Sequence, residues 1–176
     1  MLSATLNSLA SSTLEDFTRP GLIIPQLRQR DTAGVISELS QALQQQGCVP
    51  DLLPFYHAAL NQELLASSAL ACGMAFPHAR LGGVKQLQFA LGRTSQPMAW
   101  GAKGPWGVQL IFLLAVPATD AACYLHLLAS LARLGQQPKW LAELRAAPDI
   151  AGIRAVLQKI KVRPAEPNCR RPESER

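Results

Sequence analysis

Residues 108–116 form an almost unbroken apolar run, Val-Gln-Leu-Ile-Phe-Leu-Leu-Ala-Val, stopped by Pro117. A strand with one wet face alternates apolar and polar residues, whereas a strand buried on both faces does not. The run is far too short to cross a membrane. It predicts a central strand covered on both sides, which favours an α/β sandwich over an all-β fold. With 176 residues, the chain is long enough for one domain with a proper core.

The rest of the chain supplies helices for such a sandwich. Asp31-Thr32 is a capping signal, and Val35, Ile36, Leu39 and Leu43 share one helical face that closes at Gly47. Asp51 opens a second helix, where Leu52, Leu53, Phe55, Tyr56, Ala59, Leu60, Glu63 and Leu64 fit helical spacing and Pro54 falls in the first turn. Thr119 or Asp120 caps a third, carrying Leu125, Leu128, Ala129 and Ala132 on one face. Residues 140–146 read as a short helix, and Asp149 caps a last one striped by Ile150, Ile153, Val156, Leu157 and Ile160. Short strands are expected at Gly21-Leu22-Ile23-Ile24 and around Leu87, Phe89 and Leu91. Residues 94–107 hold three glycines, two prolines and two tryptophans and read as a long loop. Residues 1–16 are expected to be a partly ordered N-terminal segment, 17–160 the domain, and 161–176 a charged, disordered tail.

The stretch Gly73-Met74-Ala75-Phe76-Pro77-His78 carries the chemistry. The residue before a proline is pushed to extended geometry, so Phe76 ends a strand-like segment. Proline stiffens the backbone that presents His78. The small residues around it, Ala66-Ser67-Ser68-Ala69 before and Gly82-Gly83 after, leave room for something bulky. Imidazole near neutral pH is a nucleophile that accepts phosphoryl or acyl groups. A lone Pro-His pair is nonetheless common, and structural histidines outnumber reactive ones.

Other classes find little support. The net charge is +5, but residues 161–176 alone hold five cations and three anions, and no basic stripe with interleaved aromatics marks a nucleic-acid surface. Four cysteines at 48, 72, 123 and 169 form no CxxC pair, so a reduced, cytoplasmic protein without a disulfide frame, metal site or cofactor is expected. No signal peptide is expected in the first ten residues.

Taken in order, these elements resemble enzyme IIA of the bacterial phosphotransferase system, of the fructose, mannitol and nitrogen-regulatory type. Ser67-Ser68-Ala69-Leu70-Ala71-Cys72-Gly73-Met74-Ala75-Phe76-Pro77-His78 stands where that family has a serine/threonine- and glycine-rich turn and a strand ending in Pro-His. Pro97-Met98-Ala99-Trp100, the strand ending Val116-Pro117-Ala118, and Tyr124-Leu125-His126-Leu127-Leu128-Ala129-Ser130-Leu131-Ala132 follow in the family's order. The resemblance covers roughly residues 17–160. It implies a single-domain sandwich with a central mixed β-sheet flanked by helices on both faces. It implies that His78 accepts a phosphoryl group from the phosphocarrier protein HPr, then passes it to a permease subunit or holds it as a regulatory signal to a protein partner. No attached permease or second phosphotransferase domain is expected, which makes the regulatory, nitrogen-type role the expected one. Ser68 stands at the family's threonine position; it and Ser67 are candidate donors to phosphate, the alternative being a helix C-terminal turn.

Three departures bear on activity. Tyr124 replaces a second histidine, and His126 lies two positions on, about 200° around a helix. A tyrosine hydroxyl donates a hydrogen bond but carries no positive charge. Gln62 stands where an arginine usually precedes the glutamate, here Glu63. Ala69 and Ala71 replace two glycines, at a cost of about 1 kcal/mol or more each if their φ must be positive. Arg80 and Lys85 could supply the missing charge, or be solvated surface cations. His57 reads as a helix-surface histidine. The departures also suit a second function, a catalytically weakened binding module that docks a partner through Trp100 and Trp106. Packing of those tryptophans onto the sheet is the alternative. A hydrolase using His78 as base lacks a partner nucleophile or carboxylate at recognisable spacing.

Overall fold

The expected central strand is β5, Gly107–Pro117, in a five-stranded sheet. The computed structural model describes residues 12–101, 107–119 and 121–162. Side chains of β5 alternate between two apolar layers: Leu110, Phe112, Leu114 and Val116 join one, Ile111, Leu113 and Ala115 the other. On one side β5 pairs antiparallel with β4, Gln88–Ala99, which pairs parallel with β1, Ile23–Ile24. On its other side β5 pairs parallel with β2, Met74–Ala75, and β3, His78–Leu81. The sheet is therefore mixed, as expected.

β2 and β3 are two parts of one edge strand. Met74 faces Leu110 and His78 faces Leu114, so the register does not slip between them. The Leu114 amide donates to Pro77 O at 2.9 Å, which carries the ladder across the gap. Pro77 has no N–H to give, and an edge strand tolerates that loss. Phe76 thus interrupts the strand rather than ending it, and His78 starts its second half on a pinned backbone.

Two helices cover one face. In α1, Thr32–Gln45, the Asp31 carboxylate accepts from the Gly34 amide at 2.9 Å, and Val35, Ile36, Leu39 and Leu43 are buried. In α2, Leu52–Leu65, the buried positions are Phe55, Ala59 and Glu63. Three helices cover the other face: α3, Ala121–Leu134; α4, Pro138–Ala146; and α5, Ile150–Leu157. α5 stops before Ile160, which continues in a turn through its amide to Leu157 O. Leu14 and Val162 are fully buried, so packing begins before residue 17 and runs past 160; most of the expected tail lies outside the described residues. No helix among the described residues is long and apolar enough to cross a membrane.

One expectation is corrected. Residues 94–99 are not loop but the outer half of β4, paired through Met98 to Val108 and Ala99 to Gly107. A register shift between Arg93 and Met98 accommodates Pro97, the place in a ladder where a bulge tolerates proline. Arg93 uses the irregularity to tie distant elements together. Its Nη1 donates to the carbonyls of Leu144, Arg145 and Ala147 at 2.7–3.0 Å, closing the C-terminus of α4, and its Nε donates to Pro25 O at 2.9 Å. Arg93→Met keeps the apolar stem and strands these acceptors. It is expected to lower unfolding free energy by about 3 kcal/mol in a urea titration.

Candidate functional site

His78 is half-buried at the start of β3, on the α3 side of the sheet. Its Nδ1 lies 3.2 Å from Phe76 O. A carbonyl only accepts, so this bond places the proton on Nδ1 and leaves the Nε2 lone pair available in the neutral ring. The other side of the Phe76 peptide is held as well: its amide donates to Ser68 Oγ at 2.8 Å.

Behind Ser68 lies a buried carboxylate. Glu63 is 2% exposed and accepts four hydrogen bonds. Oε1 takes the Ser68 amide at 2.8 Å, the Ser67 hydroxyl at 3.0 Å and the Trp100 indole N–H at 2.8 Å; Oε2 takes the Ser68 hydroxyl at 2.6 Å. Four donors without a cation satisfy this charge among the described residues. A chain of bonds thus runs from Trp100 through Glu63, Ser68 and the Phe76 peptide to His78.

The geometry reassigns several expected roles. Ser68 has one hydroxyl proton, and it points at Glu63; the group positions Phe76 and is not a spare donor for phosphate. Ser67 is likewise committed to Glu63. Trp100 is fully buried, so it is no contact surface: its ring packs in the α1/α2 layer and its N–H is spent on Glu63. The tryptophan-mediated docking surface therefore loses Trp100, and Trp106 lies outside the described residues. Arg80 is exposed and donates through Nε and Nη2 to Ala118 O, beyond the end of β5. Lys85 borders a separate hollow with Arg19 and Cys48. Gln62 faces solvent on α2, and His57 is exposed with its ring 5.2 Å from that of Tyr56.

Tyr124 does reach the site. Its ring centroid is 5.5 Å from that of His78, with the planes tilted by 42°. Burial pushes its phenol above the usual tyrosine range, so the hydroxyl keeps its proton and stays a donor at neutral pH. His126 is half-buried and its Nδ1 finds no hydrogen-bond partner; the aromatic neighbour of His78 is Tyr124. Among the described residues, no group of three or more His, Cys, Asp or Glu could hold a metal ion.

The turn before β2 avoids the expected alanine strain. Ala69 and Ala71 both have negative φ; among the described residues only glycines are positive. Residues 70–73 form a tight turn, with the Gly73 amide donating to Leu70 O at 3.0 Å and the Leu70 amide to Met74 O at 2.8 Å. The left-handed position falls on Gly73, at φ 85°. A Cβ there would meet Arg145 Nη2 at 2.9 Å and the Gly107 carbonyl at 3.1 Å. Gly73→Ala is expected to cost about 2 kcal/mol or more in thermal or urea unfolding.

Glu63 is the site residue that spacing alone undervalued. It falls in line with Phe55 and Ala59 on the buried face of α2, and a carboxylate on such a face signals a cluster of donors waiting for it.

Residues 16–160 match a family model described as the phosphoenolpyruvate-dependent sugar phosphotransferase system, EIIA 2. The nitrogen regulatory protein of Bradyrhizobium diazoefficiens is 28% identical over 145 residues, which cover 82% of this chain and 94% of that protein. The 2-O-alpha-mannosyl-D-glycerate-specific EIIABC component of Escherichia coli is 35% identical over 98 residues, or 54% of this chain. The chain spans only 15% of that relative's length. The crystal structure of the nitrogen regulatory protein IIA-Ntr from Neisseria meningitidis superposes with a TM-score of 0.67 at 26% identity, over 82% of this chain and 98% of that one.

Proposed function

We propose, for a chain that belongs to the EIIA 2 family of the phosphoenolpyruvate-dependent sugar phosphotransferase system, that His78 is a transient phosphoryl acceptor and that the protein works as a regulatory phosphocarrier. The donor is the phosphocarrier protein HPr, in the cytoplasm. The observation that carries the reading is the bond from Nδ1 to Phe76 O, which leaves Nε2 free on a ring whose backbone is pinned on both sides.

The Nε2 lone pair forms the new N–P bond while the bond from phosphorus to the donor breaks, its electrons leaving with the donor. No proton has to leave Nε2. As phosphorus binds, the ring becomes positive, and its Nδ1–H donates more strongly to the Phe76 carbonyl. Phosphoryl transfer otherwise asks for positioning and donors around the transferred oxygens. Tyr124 brings one hydroxyl. Tyr124→Phe is expected to slow phosphoryl uptake about fivefold, the value of one neutral hydrogen bond, with an unchanged urea midpoint.

The regulatory role rests on the likeness to two nitrogen regulatory proteins along nearly their whole lengths. Transfer onward to a permease subunit is the other fate such a phosphohistidine could have. Incubation with phosphoenolpyruvate, enzyme I and HPr, read by intact mass, tests the reading: one acid-labile phosphoryl group is expected. If HPr is phosphorylated and this protein gains nothing, the acceptor role is wrong.

A further inference from the structure

His78 and Arg80 stand two apart in β3, and the side chain between them, Ala79, joins the apolar layer under α1 and α2. Alternation along a strand therefore puts His78 and Arg80 on the α3 face together. Arg80 pairs with Val116 and Leu81 with Pro117, where the ladder between β3 and β5 ends. One residue further on, the Ala118 carbonyl accepts from both Nε, at 3.1 Å, and Nη2 of Arg80. Tyr124 follows in the first turn of α3, with its ring centroid 5.5 Å from that of His78.

Packing does little for the connection from β5 to Tyr124. Ala118, Thr119, Ala121 and Ala122 are exposed, and three of these four carry only a methyl group. Burial on α3 begins with Cys123. Exposed segments that bury little apolar area open locally at small cost. A guanidinium that gives two N–H groups to one carbonyl restrains such a segment more firmly and with more direction than a neutral bond does. The Arg80 fork is thus spent on the backbone that leads into α3, and Tyr124 is the side chain which that backbone delivers to the site.

We propose that Arg80 is a positioning residue: by holding the Ala118 carbonyl it fixes the turn that sets the Tyr124 hydroxyl against a phosphoryl group on His78. Its part in transfer rests on His78 being the acceptor, and it acts through Tyr124, so its effect is bounded by that of Tyr124. Arg80→Met keeps the apolar stem and removes the fork. It is expected to slow phosphoryl uptake about two- to fivefold at saturating phosphorylated HPr. The half-saturating HPr concentration and the urea midpoint should stay unchanged, because an oriented hydroxyl acts in the transition state and Arg80 lies at the surface. In a Tyr124→Phe background the same substitution should slow uptake by less than about 1.5-fold.

A second readout needs no phosphoryl transfer. The Tyr124 ring current shifts the His78 ring protons of the unphosphorylated full chain. Recorded at about pH 9, well above the ordinary imidazole range, these resonances should move in Arg80→Met toward their positions in Tyr124→Leu, which has no ring there. Resonances that Arg80→Met leaves in place would overturn the hold on Tyr124. Losses from Arg80→Met and Tyr124→Phe that multiply would make Arg80 act on the phosphoryl group itself. A loss confined to the half-saturating HPr concentration would place it in donor docking. Either result overturns the positioning role. An unmodified protein that takes no phosphoryl group would sink the acceptor reading, and the resonances would still decide whether Arg80 holds Tyr124.

Discussion

His78→Ala is expected to remove phosphoryl uptake altogether, while changing the unfolding free energy by less than about 1 kcal/mol. The two halves of this prediction have separate causes. The nucleophile is a single lone pair, and nothing else on the sheet edge replaces it. The fold barely depends on it, because His78 is half-buried and its one bond closes on Phe76, two residues back in its own strand. The chain has three histidines, so the result also discriminates among them. His57 is exposed on α2 with the Tyr56 ring beside it, and His126 is a half-buried residue of α3. Among the described residues, neither has a carbonyl holding one ring nitrogen so that the other is left to attack. Phosphoenolpyruvate, enzyme I and HPr are supplied, and both proteins are followed by intact mass. A phosphoryl group that persists in His78→Ala would move the acceptor to one of the other two and undo the assignment.

How far such a site shows in a sequence depends on how local its causes are. The start of α1 was legible because Asp31 and Gly34 are three residues apart and the apolar face follows at once. The centre of the sheet was legible because a strand covered on both sides must be apolar throughout. The outer half of β4 was not, since Ser95, Gln96 and Pro97 carry turn chemistry, and only pairing to Gly107 and Val108 holds them extended. Arg93 was invisible for the same reason: the carbonyls it closes lie more than fifty residues away. At the site, Pro77 and His78 spoke for themselves, whereas the approach of Tyr124 came from the family resemblance, not from spacing. Trp100 misled, because an indole among glycines and prolines looks exposed until the carboxylate that takes its N–H is located. Glu63 is that carboxylate, and the serines near His78 make sense only once it is placed.

The largest stability effect is therefore expected at Glu63. Glu63→Ala removes the acceptor for four hydrogen bonds inside the protein and leaves the Trp100 indole, both serine hydroxyls and the Ser68 amide without a partner there. Bonds to a charged group contribute about 1.5–3 kcal/mol each, but water reaches the exposed Ser67 and relieves part of the loss, so about 3–4 kcal/mol in total is expected from urea unfolding. Glu63→Gln separates charge from shape. Its one carbonyl oxygen still serves the indole and the Ser68 amide, but its NH2 faces the Ser68 hydroxyl, which must then give up its donor role. About 1–2 kcal/mol is expected for this variant. The Ser68 oxygen that turns toward the new amide also holds the Phe76 N–H, so the Phe76 peptide and the His78 bond to it are disturbed in a protein that stays folded. Phosphoryl uptake by Glu63→Gln should fall while HPr phosphorylation is unchanged. A double-mutant cycle with Trp100→Phe should return a coupling energy of about 1 kcal/mol, since the two side chains share a bond. Additive losses, together with normal phosphoryl uptake by Glu63→Gln, would show that the buried carboxylate serves packing alone and has no hold on the histidine.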